Sequence, residues 1–178
     1  MDRATALKRF SQWDRQGRFV FTRADLAKLF HEDSARALKE GLRRLVAEGL
    51  LERPARGVYI YALAHSRNSY MIEQIARALR RGEYNYVSLE SALSEYGAIS
   101  QVPLDRLTVM TSGRKGIYKT PYGTIEFVHT KRPISELLNR MTDVGRPLHL
   151  ATPQAAWGDL KRVGRNTHLV DESVVGHE

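Results

Sequence analysis

Residues 22–61 read TRADLAKLFHEDSARALKEGLRRLVAEGLLERPARGVYIY. The stretch parses as helix, tight turn, helix and basic hairpin. Thr22 can cap a short helix carrying Leu26, Leu29 and Phe30. His31-Glu32-Asp33 make the turn, and Asp33 or Ser34 caps the second helix, because a short side-chain oxygen accepts from N–H groups left orphaned at a helix start. In that helix Ala35, Leu38, Leu42, Leu45 and Val46 recur at helical spacing and predict one buried stripe. Arg36, Lys39, Glu40 and Arg43 fall opposite it, with Arg44 at the flank. Gly49 stands where a left-handed residue closes a helix. Residues 50–53 and 58–61 are predicted strands flanking Pro54-Ala55-Arg56-Gly57. The layout is that of a winged helix-turn-helix.

Outward from this stretch, residues 4–16 predict a first helix that turns Ala6, Leu7, Phe10 and Trp13 inward and Lys8, Arg9 and Arg15 outward. Gly17 ends it, and Phe19-Val20-Phe21 forms a short strand into Thr22. Such a first helix is needed because two helices alone cannot cover a core. Residues 1–63 are therefore read as one domain. They carry 13 Lys and Arg against 8 Asp and Glu, so most of the net charge of +8 over 178 residues sits here. A basic balance favours polyanionic partners in general. There is no cysteine, which excludes disulfides and thiolate metal sites and fits a reducing compartment. No apolar run is long enough to span a bilayer, and the N-terminus lacks a secretory apolar region, so a cytoplasmic protein without membrane contact is expected.

The argument for DNA rests on geometry. A helix fits the major groove, where base edges differ in donors and acceptors. In helix-turn-helix proteins the second helix enters with its N-terminal residues nearest the bases. Here that end presents Ser34, Arg36 and Lys39, with Arg43 further along. Arg53 and Arg56 flank the hairpin tip as a wing, and Thr22 and Arg23 are candidates for phosphate contact. A competing reading treats this as a solvated helix face in which Glu40 and Glu48 pair with Arg36 and Arg44. The order of turn, helix and basic wing favours DNA.

Residues 62–68 read as a junction. Asn68 or Ser69 caps a helix over residues 70–81, with Ile72, Ile75, Ala76 and Leu79 as its stripe. Arg77, Arg80 and Arg81 near its end suit the helix dipole and form, with Arg114 and Lys115, a possible additional basic face. Ser88 is expected to cap a helix running to about Tyr96, closed by Gly97, and Val102-Pro103 to begin an extended region. Residues 107–111, 117–119 and 124–129 predict an antiparallel meander, with turns at Ser112-Gly113-Arg114-Lys115-Gly116 and Thr120-Pro121-Tyr122-Gly123. A short helix follows over residues 134–140, then a strand at 148–151. Thr152-Pro153 open a last helix to about Arg162. The fold class is α/β in the α+β sense: a winged helix, then a small mixed α/β domain over residues 69–165. A polar tail over 166–178 is expected to be poorly ordered.

These residues resemble a known family. Residues 42–53 with Arg56-Gly57-Val58-Tyr59 resemble the winged helix of the AbiEi antitoxins of AbiE-type, type IV toxin–antitoxin systems, which serve in phage defence. The resemblance continues in residues 88–93 with Tyr96-Gly97, in residues 109–114, in residues 118–124 and in residues 152–160, and so spans nearly the whole chain. It implies repression of its own operon by binding double-stranded operator DNA at inverted repeats. It also implies counteraction of a nucleotidyltransferase-type toxin through the C-terminal domain, without a stable complex. The alternative is a stand-alone winged-helix transcriptional regulator with no toxin partner.

An enzyme is not expected. Ser112-Gly113-Arg114-Lys115-Gly116 lacks the Walker pattern and leads into a strand, not a helix. Glu126 and His129 are three residues apart on a strand and point to opposite faces. His149 and His168 add no ligand spacing, so no metal site and no cofactor are predicted.

Overall fold

The computed structural model describes residues 1–100 and 105–176. The extended region expected from Val102-Pro103 lies outside them. Packing divides the chain into two units, Met1–Leu79 and Arg80–Glu178.

The first unit runs α1 (Arg3–Asp14), β1 (Val20–Thr22), α2 (Arg23–Leu29), α3 (Ala35–Ala47), β2 (Leu51–Ala55), β3 (Val58–Tyr61) and α4 (Met71–Leu79). Its three strands are antiparallel in the order β1-β3-β2. Phe10 of α1 is the hub. Its ring lies 5.4 Å from those of Phe21 and Tyr61 and 5.8 Å from that of Phe30, so α1, β1, β3 and the end of α2 converge on one fully buried aromatic side chain. Such clusters add to area burial through edge and offset ring contacts. Leu38, Leu42 and Leu45 bury the inner face of α3, but Ala35 is exposed and Gly41 joins that face instead. A Cβ at Gly41 would come within 2.9 Å of the terminal methyl of Met1, a flexible end that can move aside.

The 62–68 junction is fastened to α1. Buried Asp14 accepts the N–H of His65 at 2.8 Å and of Ser66 at 3.0 Å. Helix α4 packs on β1 and β3 and so stands in the first unit, where the sequence reading placed it in the second. It buries Met71, Glu73, Ile75 and Ala76, while Ile72 and Leu79 are half-buried.

The second unit contains β4 (Asn85–Val87), α5 (Leu89–Glu95), β5 (Arg106–Thr111), β6 (Gly116–Thr120), β7 (Gly123–His129), α6 (Ile134–Leu138), β8 (Met141–Thr142), β9 (His149–Ala151) and α7 (Pro153–Val163). A 3-10 turn (Thr167–Leu169) and α8 (Glu172–Val175) follow. Six strands form one mixed sheet in the order β6-β7-β5-β4-β9-β8. The expected meander is not formed. β5 pairs with β7 in parallel, and β6 lies outside β7 at the sheet edge. The burial patterns explain why. Residues 107–111 are all buried, as a central strand requires, whereas β6 alternates between half-buried and exposed positions as an edge strand does. Helices α5 and α7 pack together, α5 on β5 and α7 on β9.

Two further expectations are corrected. Ser88 does not cap α5; its hydroxyl donates to Asp159 instead, and the next residue, Leu89, holds a left-handed φ of 56° while fully buried. The segment read as a loose tail is anchored. The N–H of Asp171 donates to the Ala98 carbonyl at 2.8 Å, and Val175 is completely buried.

Candidate nucleic-acid interface

The local folding of the helix-turn-helix follows its caps. Thr22 and Asp25 form a capping box: the Thr22 Oγ1 accepts from the Asp25 N–H at 3.1 Å, and the Asp25 carboxylate accepts from the Thr22 N–H at 2.8 Å. The Thr22 hydroxyl also donates to that carboxylate, so this side chain is engaged within the protein. Ser34 caps α3 by accepting from Ala37 N–H at 3.2 Å. Gly49 adopts φ 72° after α3 and lets the chain reverse into β2. In the wing Ala55 pairs with Val58, leaving Arg56-Gly57 as the two-residue tip. Gly57 takes φ 81°, and its carbonyl accepts the Arg23 N–H at 2.9 Å, tying the wing tip to the start of α2.

This frame sorts the cations. Arg9 pairs with Glu32 at 2.6 Å, Arg18 with Asp25 at 2.8 Å, and Arg44 with Glu48 at 3.9 Å. These arginines brace the fold, and Arg9 and Arg18 also lie over Phe30 and Trp13. Arg23, Arg36, Lys39, Arg53 and Arg56 are exposed, and among the described residues no carboxylate pairs with them. Arg53 lies over the Tyr59 ring at 5.9 Å. Arg43 is exposed and pairs with Glu40 at 3.1 Å. Of the two pairs in the solvated-face reading, Glu48 with Arg44 is made and Glu40 with Arg36 is not. Arg36, Lys39 and Arg43 thus share the outer face of α3, and Arg53 and Arg56 lie on the wing beside the Arg23 end of α2.

The additional basic face is only partly basic surface. Arg77 lies exposed on α4, and Arg81, Arg114 and Lys115 are exposed in the second unit. Arg80 does not belong with them. It is buried, with its guanidinium 4.2 Å from the Phe127 ring centre and 5.1 Å from that of Tyr118, and it donates to the Arg114 carbonyl at 2.8 Å. Its long apolar stem and planar cation suit a sandwich against aromatic rings, which a reading based on charge alone does not reveal.

The sequence reading passed over two ionic centres in the second unit. Asp159, fully buried on α7, accepts from Arg132 at 2.8 Å, Arg140 at 2.9 Å, Ser88 at 2.8 Å and the Tyr86 hydroxyl at 3.1 Å. Burial, and then the charge of Asp159, push the Tyr86 hydroxyl above its ordinary value. The second centre is Arg165, which grips Glu90 at 2.7 Å and Glu126 at 2.6 Å, while Arg106 holds Glu126 from the other side at 2.8 Å. Burial pushes the Glu90 carboxyl up, but bonds from Arg165 and Asn166 outweigh it and hold the group below its usual range. The available signal was a lone Asp in the apolar stripe of a predicted helix. With four donors on one carboxylate, Asp159 is organised as a scaffold, not as a general base. Among the described residues no group of three His, Asp or Glu side chains is placed to hold a metal ion. No described helix is long and apolar enough to cross a membrane.

The first unit is thus a winged helix-turn-helix with an open cationic reading helix, the architecture of DNA-binding transcriptional regulators. Residues 9–62 match the family described as "Transcriptional regulator, AbiEi antitoxin". The fold is similar to the crystal structure of the RV2827C protein from Mycobacterium tuberculosis, with a TM-score of 0.53 at 18% identity. The match covers 88% of this chain and 60% of that one, so this chain spans well under two thirds of its length. Among curated proteins no sequence matches.

Proposed function

We propose that this DNA-binding antitoxin represses its own operon and counteracts a nucleotidyltransferase-type toxin in the cytoplasm, by binding and not by catalysis. Helix α3 enters the major groove of operator DNA with Arg36, Lys39 and Arg43 toward the bases. The wing residues Arg53 and Arg56, with Arg23, hold the backbone alongside, and paired inverted repeats receive two copies. The second unit carries the toxin-directed role without a stable complex.

The observation that carries this reading is the sorting of charge. Arg9 and Arg18, against the core of the first unit, are ion-paired, whereas Arg36 and Lys39 on α3, Arg53 and Arg56 on the wing and Arg23 are exposed with no carboxylate partner among the described residues. Phosphate contacts of this kind position a protein, and groove contacts from Arg to base edges give it selectivity. The test is titration of the protein against the duplex upstream of its own gene and against random duplex, each at two salt concentrations. Preference for the upstream duplex at both salts is expected. Equal binding to both duplexes, lost together as salt rises, would refute operator reading. Co-expression with a neighbouring nucleotidyltransferase gene then separates an antitoxin, which restores growth, from a stand-alone regulator, which does not.

A further inference from the structure

Helix α3 carries one anion on its open face. Arg36, Lys39, Glu40 and Arg43 stand at i, i+3, i+4 and i+7, and all four are exposed. A carboxylate in this position meets the phosphates whenever the helix approaches a duplex. Ordinary helix pairing offers it Arg36, four residues earlier. It turns instead to Arg43, with Glu40 Oε2 at 3.1 Å from the Arg43 Nε. That contact engages Nε, and no described residue bonds to either Nη group. The Nη edge is one that can bind guanine O6 and N7 together. The two side chains are 56% and 75% exposed, and a pair so solvated contributes little to folding. Its consequence lies in the groove, where water is displaced.

We propose that Glu40 is a specificity-determining residue of this interface, holding Arg43 in register for a single guanine and disfavouring every site that lacks it. The proposal rests on the DNA-reading role of α3. At the right site Arg43 is satisfied by the base while Glu40 keeps its Nε. At a wrong site Arg43 has no base acceptor, and the Glu40 charge faces the phosphates without compensation. Glu40 therefore weakens random binding more than it weakens selected binding. Arg43 is the base-contacting residue, and Glu40 is also the residue that positions it.

The experiment is selection from a randomised duplex pool, followed by titration of the selected duplex and a random duplex. The proteins are wild type, E40A, R43A and E40A/R43A. Wild type is expected to enrich a motif containing a fixed guanine. E40A, melting with wild type, should bind random duplex more tightly, lose about tenfold in the selected-to-random ratio and relax the base preference at that one position. In the R43A background E40A should leave the ratio unchanged. An unchanged ratio for E40A alone, or additive effects in the double variant, would overturn the role of Glu40 while leaving α3 as the reader. If wild type enriches no motif, DNA reading by α3 falls, and this proposal with it.

Discussion

Replacing Asp159 with alanine tests whether the second unit is organised around a buried charge. The carboxylate is completely inaccessible, and the side chains of its partners Arg132 and Arg140 are only 9% and 17% exposed. After the substitution Arg132 retains Glu136 at 2.7 Å, but Arg140 retains only neutral partners, the Ala155 carbonyl and the Tyr86 hydroxyl. One buried guanidinium is left without a counter-charge, and the Tyr86 and Ser88 hydroxyls lose their acceptor. Breaking a buried pair from one side costs roughly 3–5 kcal/mol, and each orphaned buried hydroxyl about 1–3 kcal/mol, partly relieved by relaxation. A loss of about 4 kcal/mol is expected for this unit. With a urea slope of about 2 kcal/mol/M, its midpoint should fall by about 2 M.

The assay is urea unfolding followed by tryptophan fluorescence. The chain has two tryptophans, Trp13 in the first unit and Trp157 on α7, so a Trp13→Phe background reports the second unit alone. Asp159→Ala combined with Arg140→Met should recover about 1–2 kcal/mol, because the unpaired buried cation is gone. A loss below about 1 kcal/mol for Asp159→Ala would show that the site hydrates freely and that the network does not organise the unit. A double variant less stable than the single would remove the argument from uncompensated charge.

In the first unit, Thr22→Ala removes one half of the capping box and should cost about 1 kcal/mol in thermal unfolding; an unchanged melting temperature would mean that α2 is held by packing alone. Arg36→Ala and Arg43→Ala should each weaken binding to the selected site by about 1–3 kcal/mol, whereas Arg56→Ala should mainly lower the salt slope, by about one; equal losses on selected and random duplex for all three would remove the base-reading assignment. Arg80→Ala should lower stability through the lost sandwich with Phe127 and Tyr118, with no change in the salt slope for DNA; a shallower slope would return Arg80 to the binding surface. The Glu90 carboxyl is held below the usual range in the folded chain, so its contribution is complete above the unfolded value near 4.5 and is lost as pH falls through the lower folded value. Acidification below about pH 4.5 should therefore loosen the segment after Arg165, read as faster proteolysis there, and Arg165→Ala should abolish that pH dependence.

The winged helix was legible because its rules are local. Thr22, Ser34, Gly49 and Gly57 each mark a boundary whose chemistry involves residues within a few positions, and the leucines of α3 carry their period openly. The miss at Gly41 is of another kind, since its neighbour there is Met1, forty residues away in sequence. In the second unit the decisive facts are all of that sort. Nothing in residues 107–129 says that β5 will pair with β7 and push β6 to the edge: Thr108 and Thr111 make β5 read as an alternating strand, yet residues 107–111 are all buried. Asp159 and Arg165 acquire meaning only when Tyr86, Ser88, Glu90 and Glu126 arrive from strands and helices about 40 to 75 residues earlier.

Charge was the feature on which sequence and structure diverged most, and the divergence sharpens the functional reading. A net charge of +8, with +5 in residues 1–63 and +3 in the remainder, still leaves open a basic surface on both units. In the second unit, however, Arg106, Arg132, Arg140, Arg146 and Arg165 each hold a carboxylate of that unit, and Arg80 is enclosed by aromatic rings. An arginine committed to an internal carboxylate must lose that partner before it can serve a phosphate, and a buried one must also cross a desolvation cost. Arg36 and Lys39 on α3, Arg53 and Arg56 on the wing and Arg23 at the start of α2 face neither obstacle, and the pairs that Arg43 and Arg44 make on α3 are exposed. Exposed Arg81, Arg114 and Lys115 keep some basic surface on the second unit, so it is the helix-turn-helix geometry together with the open cations of α3 and the wing that supports the proposed interface on the first unit.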